Sequence, residues 1–273
     1  MKLDLLTHLD LSAASGLVHH EGFLYVVADD ALELLRTDSS GRNPTPLPLN
    51  ASARRHIPKK EKPDFEALMS LGETLLAIGS GSTEARRRAI AVEVNGWSRR
   101  IIQLEALYTA LSERLEELNI EGAVARGEHV FLAQRGNGAK RENALVKLDR
   151  TRFELELANG ALTAECLREI IPVSLGELGE VPLSLTDLCL GPSEELIFTA
   201  AAEDTDDPYE DGVVVGSVIG TVDLQGRVAP ERVVADGVKL EGVCWLASGE
   251  LRLVADPDDP SARAPLFRLG WLR

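Results

Sequence analysis

Four acids, Glu66, Glu121, Asp187 and Glu241, each open a stretch of sequence that recurs about every 50 to 65 residues, and Ser15 opens a fifth. The copies are SGLVHHEGFLYVVADD from Ser15, EALMSLGETLLAIGSGS from Glu66, EGAVARGEHVFLAQRGNG from Glu121, DLCLGPSEELIFTAAAED from Asp187 and EGVCWLASGELRLVADPDD from Glu241. Each runs from its opening residue through an apolar stretch, a turn and a second apolar stretch into a polar cluster. The clusters hold Asp29 and Asp30, Ser80 and Ser82, Arg135 and Asn137, Glu203 and Asp204, and Asp256 and Asp258. Carboxylates gathered in one place repel one another and bind protons more tightly unless something compensates them. A hard cation is one remedy, and oxygen donors from several loops suit calcium. Glu66, Glu121, Asp187 and Glu241 are therefore candidate calcium ligands. Two other readings account for the same residues: acids accepting backbone amides of neighbouring strands, or an acidic channel that holds only water.

Cations accompany the acids. Lys60 and Lys62 precede Glu66, Lys239 precedes Glu241, Arg135 closes the third hairpin, and Arg86, Arg87, Arg88 and Arg263 lie in the following loops. Mixed signs at one mouth suit a small polar or anionic ligand held by guanidinium forks. The candidate ligand-binding residues are Arg135, Asn137, Lys239, Ser80 and Asp256. A metal there would polarise an ester or phosphoester and lower the pKa of a bound water, with Arg135 stabilising the negative charge that develops. The alternative of a different class is a non-catalytic platform whose rim loops bind another protein. HExxH, paired CxxC and GxxxxGK[ST] motifs do not occur, so zinc hydrolysis and P-loop chemistry have no support in the sequence.

These residues need elements to hold them. FLYVVA, TLLAIG, HVFLAQ, ELIFTA and ELRLVA are strand-length apolar runs, each preceded by turn residues such as Glu21-Gly22, Leu71-Gly72 or Arg126-Gly127. A third strand follows in every copy (ALELLRTD, AIAVEV, ALVKLD, SVIGTVDL, PLFRLGWL), and a fourth is expected at 99–105, 168–175 and 232–237. Four antiparallel strands repeated at this period predict an all-β fold, a β-propeller of five four-stranded blades forming one domain over 1–273. In that fold the opening acids and the hairpin-closing clusters share one face around the central channel. The last copy ends after three strands, and KLDLLTHLDL near the N-terminus has no blade of its own. Pairing the two would close the ring and remove two exposed edges. Leu104, Leu107, Tyr108, Leu111, Leu115 and Leu118 fall at helical spacing. The long third interval leaves room for a short helix around 163–168 or for a cramped sixth blade. Two stacked sandwiches of short strands are the competing architecture.

Composition narrows the partners. The 273 residues carry 29 Lys+Arg against 44 Asp+Glu, a formal charge of −15 that argues against nucleic acid or an anionic membrane as partner. Aromatic residues make up only 4% of the chain, too few for stacking on bases. Lys2, Asp4, His8 and Asp10 interrupt the start, so no signal peptide is read there, and a cytoplasmic location is expected. Cys166, Cys189 and Cys244 are odd in number and sit in apolar contexts, which suits buried reduced thiols.

The tetrapeptides NIEG (119–122) and KLEG (239–242), with DFEA (64–67) and LTDL (185–188) as degenerate forms, resemble the D/N-x-E-G repeats of bacterial propellers. Those include the esterase-like phytase and SdiA-regulated families and, more remotely, the gluconolactonase and strictosidine-synthase propellers. The resemblance implies a propeller with an acidic centre that can bind calcium. The chain departs from it where Ser15 replaces the fifth acid and where a phosphate-binding Lys/Arg motif is missing.

Overall fold

The computed structural model describes residues 3–51, 54–58, 61–204, 212–229 and 233–271. The strands form five antiparallel sheets that pack side by side in a ring. The first blade contains Ala14–His20, Phe23–Ala28, Glu33–Asp38 and Thr45–Pro48. The second contains Phe65–Leu71, Thr74–Gly79, Arg88–Glu93 and Ser98–Gln103. The third contains Ile120–Arg126, His129–Gln134, Ala144–Asp149 and Leu167–Pro172. The fourth contains Val181–Leu190, Leu196–Asp204, Val213–Val222 and Val233–Asp236, with a two-residue strand, Glu177–Leu178, along its inner edge. The fifth contains Lys239–Leu246, Glu250–Asp256 and Pro265–Gly270. Its outer strand is Asp4–His8, paired antiparallel with Pro265–Gly270 from Asp4 opposite Arg268 to His8 opposite Pro265. The five-bladed ring and its closure by the N-terminal strand are thus as the repeat requires.

The apolar runs show little alternation because both faces of each blade are covered. In Phe23–Ala28, Leu24 and Val26 pack toward the fifth blade, while Tyr25 and Val27 pack toward the second. The core is accordingly five layers, one at each seam between neighbouring blades. At the centre the inner strands approach so closely that side chains are excluded. A Cβ on Gly122 would lie 2.8 Å from the Leu188 amide nitrogen, and one on Gly242 would lie 2.9 Å from the Leu17 Cβ.

Two helices depart from the sequence reading. The helix expected over 104–118 ends earlier, at Glu105–Ser112, although Leu115 and Leu118 beyond it remain buried. Its Tyr108 hydroxyl donates to the Gly79 carbonyl at 2.8 Å and ties the helix to the second blade. The long third interval contains a helix, Arg150–Asn159, between the last two strands of the third blade. Asp149 caps it by accepting the Arg152 amide at 2.8 Å, and Gly160 ends it at φ 85°. Only a single 3-10 turn, Ala164–Cys166, lies where the short helix was expected. That insertion, not a sixth blade, lengthens the interval.

Candidate functional site

In four blades one residue of the inner strand bulges out of register at the repeat position. Glu66 falls between the pairs Phe65–Gly79 and Ala67–Ile78, and Glu121 between Ile120–Gln134 and Gly122–Ala133. Glu241 falls between Leu240–Ala255 and Gly242–Val254. A bulge re-aims a side chain, and all three glutamates line one polar cup of about 680 Å³ at the channel mouth. In the fourth blade the bulged residue is Thr186, between Leu185–Ala200 and Asp187–Thr199. Asp187 therefore sits one residue further along, level with Gly122 and Gly242.

That shift corrects the expectation of four gathered acids. Asp187 is fully buried and does not line the cup. Its Oδ1 accepts the Leu188 amide at 2.7 Å and its Oδ2 accepts the Val243 amide at 2.8 Å, so it ties the fourth blade to the fifth. Burial pushes its carboxyl well above the usual range, against those amides. Asp187 follows the reading in which an acid serves neighbouring backbone.

Glu121 and Glu241 do line the cup, together with the ligand-binding candidates Arg135, Asn137, Lys239 and Asp256. Ser80 does not: it is fully buried, and its hydroxyl donates to Asp64 and lies 2.9 Å from the Ser82 hydroxyl. Arg135 is also more enclosed than an anion-binding residue should be, only 5% exposed. Its Nη1 stands 3.3 Å from Glu121 and 3.5 Å from Glu241, its Nη2 bonds Glu203, and its Nε donates to Ser184 at 3.3 Å. Lys239 lies 3.0 Å from Glu203, 3.4 Å from Glu241 and 2.9 Å from Asp258. Asn137 accepts from Asn119 at 3.4 Å, and Asn119 also donates to Glu121 at 2.7 Å.

These cations are therefore committed to the protein's own acids. The same holds on the other side of the cup, where Lys62 bonds Asp29 and lies 3.5 Å from Asp64, and Arg86 lies 2.9 Å from Asp64. Arg87 bonds Glu105 at 3.0 Å, and Arg263 bonds Asp10 at 3.2 Å. Lys60 and residues 205–211 of the acidic stretch lie outside the described residues. Two cations, Arg135 and Lys239, serve the four carboxylates Glu121, Glu203, Glu241 and Asp258. Burial would raise Glu203, but both cations outweigh it and hold its carboxyl below the usual range. Burial pushes Glu241 up to about 8 against the same two cations, and its Oε2 has no hydrogen-bond partner among the described residues. Burial likewise pushes Asp256 up to about 7.

Glu66 stands apart. It lines the cup, and no hydrogen bond or ion pair joins it to a described residue. Burial, with the nearby Glu121, Asp64 and Asp29 carboxylates, pushes its carboxyl well above the usual range. Asp29, Asp64 and Glu66 each present an oxygen within 4.8 Å of the others. Asp64, the first residue of DFEA, and Asn119, the first of NIEG, occupy the same repeat position as Lys239. Of the three, Lys239 is a ligand-binding candidate from the sequence alone, whereas Asp64 and Asn119 serve there only to trace the repeat.

Five blades, bulged inner strands and a polar cup at one channel mouth define a β-propeller with a candidate ligand site on its axis. The chain belongs to the family of unknown function DUF6929, which it matches over residues 10–270. No curated protein matches it in sequence. Among solved structures it is similar to a streptogramin B lyase, at 12% identity over 97% of both chains with a TM-score of 0.47. It is also similar to a glucose dehydrogenase, at 11% identity over 97% of this chain and 84% of that one with a TM-score of 0.45. Hydrazine synthase of Kuenenia stuttgartiensis matches at 13% identity with a TM-score of 0.45, over 91% of this chain but only 57% of that one. Likenesses of this degree carry no argument about activity. No helix among the described residues is long and apolar enough to cross a membrane.

Proposed function

We propose that this propeller binds a small polar ligand in the cup, with calcium as the cation that the acidic arc Asp29–Asp64–Glu66 accommodates. The observation that carries this reading is Glu66: a carboxyl facing a cavity of ligand size, with no hydrogen bond or ion pair to a described residue. Three carboxylates from neighbouring blades fit a hard cation, which takes oxygen donors and completes its shell with water. Lys62, bonded to Asp29 and close to Asp64, already places a positive charge beside that arc, and calcium must displace its ammonium to use all three acids. An anionic ligand meets no uncommitted guanidinium among the described residues of the cup, so it would enter through the cation. Such a cation supplies Lewis-acid polarisation and a water of lowered pKa, the chemistry of ester or phosphoester hydrolysis. The acidic centre is also what the likeness to the esterase-like phytase and SdiA-regulated repeats implies. The platform reading draws little support from the surface. Leu5, Phe23, Ile101, Leu155, Val213 and Val234 are the large exposed apolar side chains among the described residues, and none of them lines the cup.

The test is calcium titration of chelator-treated, dialysed protein, followed by calorimetry and thermal melts. A ligand of the folded chain alone raises stability by about 2.7 kcal/mol at roughly 100 times Kd. Glu66→Gln should abolish most of that rise and leave the metal-free melt unchanged or higher. A wild-type melt that ignores calcium removes the cation from the proposal. A small-polyol or small-anion panel that shifts the wild type and Glu66→Gln alike removes the cup.

A further inference from the structure

The end of the propeller opposite the cup carries a second group of metal-ligating side chains. Strand pairing joins His20 to Phe23 in the first blade and Leu71 to Thr74 in the second, so Glu21-Gly22 and Gly72-Glu73 are the tips of adjacent inner hairpins. Glu21 adopts φ 48°, the left-handed conformation that a two-residue turn imposes and that a glutamate rarely takes. At these tips His20, Glu21 and Glu73 each offer one ligand atom, all within 4.8 Å of one another. Neither glutamate forms an ion pair with a described residue. Asn95 donates to Glu73 Oε2 at 2.9 Å, which orients that carboxylate and leaves its other oxygen free. The His20 ring leans on Tyr25, with centroids 6.4 Å apart, and its Nε2 is shut off from solvent without a hydrogen-bond partner.

We propose that His20, Glu21 and Glu73 form a site for a first-row divalent cation, zinc above all, that clips the hairpin tips of the first two blades together. The donor set selects the metal class. Calcium and magnesium take oxygen ligands, whereas one imidazole and two carboxylates suit zinc, with a water in the fourth position. Zinc bonds of about 2.0–2.2 Å are reached by turning two exposed glutamates at the ends of turns, with no movement of the sheets. Asn95 is then the outer partner that holds a ligating carboxylate. This site shares no residue with the cup and does not depend on the calcium reading.

The experiment is zinc titration of the chelator-treated, dialysed full chain by calorimetry, with thermal melts in parallel. One equivalent per chain and a rise in melting temperature are expected. Both should be lost in Glu73→Gln, an exposed substitution that leaves the fold intact, and in His20→Ala. Asn95→Ala should weaken binding by about tenfold or more. Glu66→Gln should bind zinc as wild type does, which separates this site from the cup. Absence of a stoichiometric zinc isotherm overturns the proposal, as does zinc binding that survives Glu73→Gln and His20→Ala, which would place the ion on other groups.

Discussion

Arg135 Nη1 lies 3.3 Å from Glu121 Oε2, and the two residues belong to the two ends of one hairpin chain segment in the third blade. The opening acid of a copy and the polar residue that closes it therefore meet as an ion pair. The same guanidinium reaches Glu203 of the fourth blade and Glu241 of the fifth, so one side chain links three blades at the cup.

Arg135→Ala should consequently destabilise the fold rather than merely weaken ligand binding. Removing one partner of a buried charge network leaves the others uncompensated and costs about 3–5 kcal/mol. Urea melts of the variant should show a lower midpoint with an unchanged slope. A variant as stable as wild type would mean that these carboxylates do not depend on Arg135.

Stability should fall as pH rises from about 4 to 8. Glu241 and Asp256, pushed up to about 8 and about 7, hold their protons more tightly in the folded chain than in the unfolded one. The folded state then binds more protons between the ordinary carboxyl range, near pH 4, and these raised values. Their contribution is complete below that range and is lost as pH passes through 7 to 8. Glu241→Gln should flatten the melting temperature against pH, at roughly 2–4 °C for each kcal/mol involved. A melting temperature that climbs across this window contradicts the assignment.

Asp187→Asn should lower stability by about 1–3 kcal/mol, because the new NH2 group faces one of the two backbone N–H groups that the carboxyl oxygens accept. Its calcium response should match that of wild type, since the side chain does not face the cup. Loss of the calcium response with stability unchanged would restore Asp187 to the ligand set.

Deleting residues 2–11 should abolish soluble, cooperatively folding protein. The deletion uncovers the edge of Pro265–Gly270 and strips Leu9 from the seam between the first and fifth blades. A truncated chain that melts like the full one would show that Asp4–His8 is dispensable.

The blades were legible in the sequence because each copy pairs two apolar runs across a recognisable turn, and because the orphan strand at the start matched a vacancy at the end. The site was harder to read, for a reason of register. Asp187 is the nearest acid in copy four, but the bulge follows the apolar residue that precedes it: Phe65, Ile120, Leu185 and Leu240. Aligned on those, SLTD (184–187) replaces LTDL, and Thr186 takes the acid's place. Arg135 lines the cup, but its commitment to Glu121, Glu203 and Glu241 depends on side chains from three blades, which spacing along one chain does not reveal. Glu66 went to the cup as expected, and its lack of a partner emerges only when every neighbour is in position. The helix Arg150–Asn159 escaped notice because few of its side chains are buried, leaving a weak apolar periodicity.

The pairing of Asp4–His8 with Pro265–Gly270 also bears on how the molecule is made. Asp4 and Arg268, joined by an ion pair at 3.0 Å, are 264 positions apart. During synthesis the outer strand of the fifth blade is made before the other blades and waits unpaired until all of them have been produced. Closing so long a loop is entropically expensive, and contacts of such separation form late. Until then the first and fifth blades each keep an apolar face uncovered, and the half-made ring can recruit the matching strand of another nascent chain. Domain-swapped dimers, formed when expression is fast and chains are crowded, are the assembly error this architecture invites.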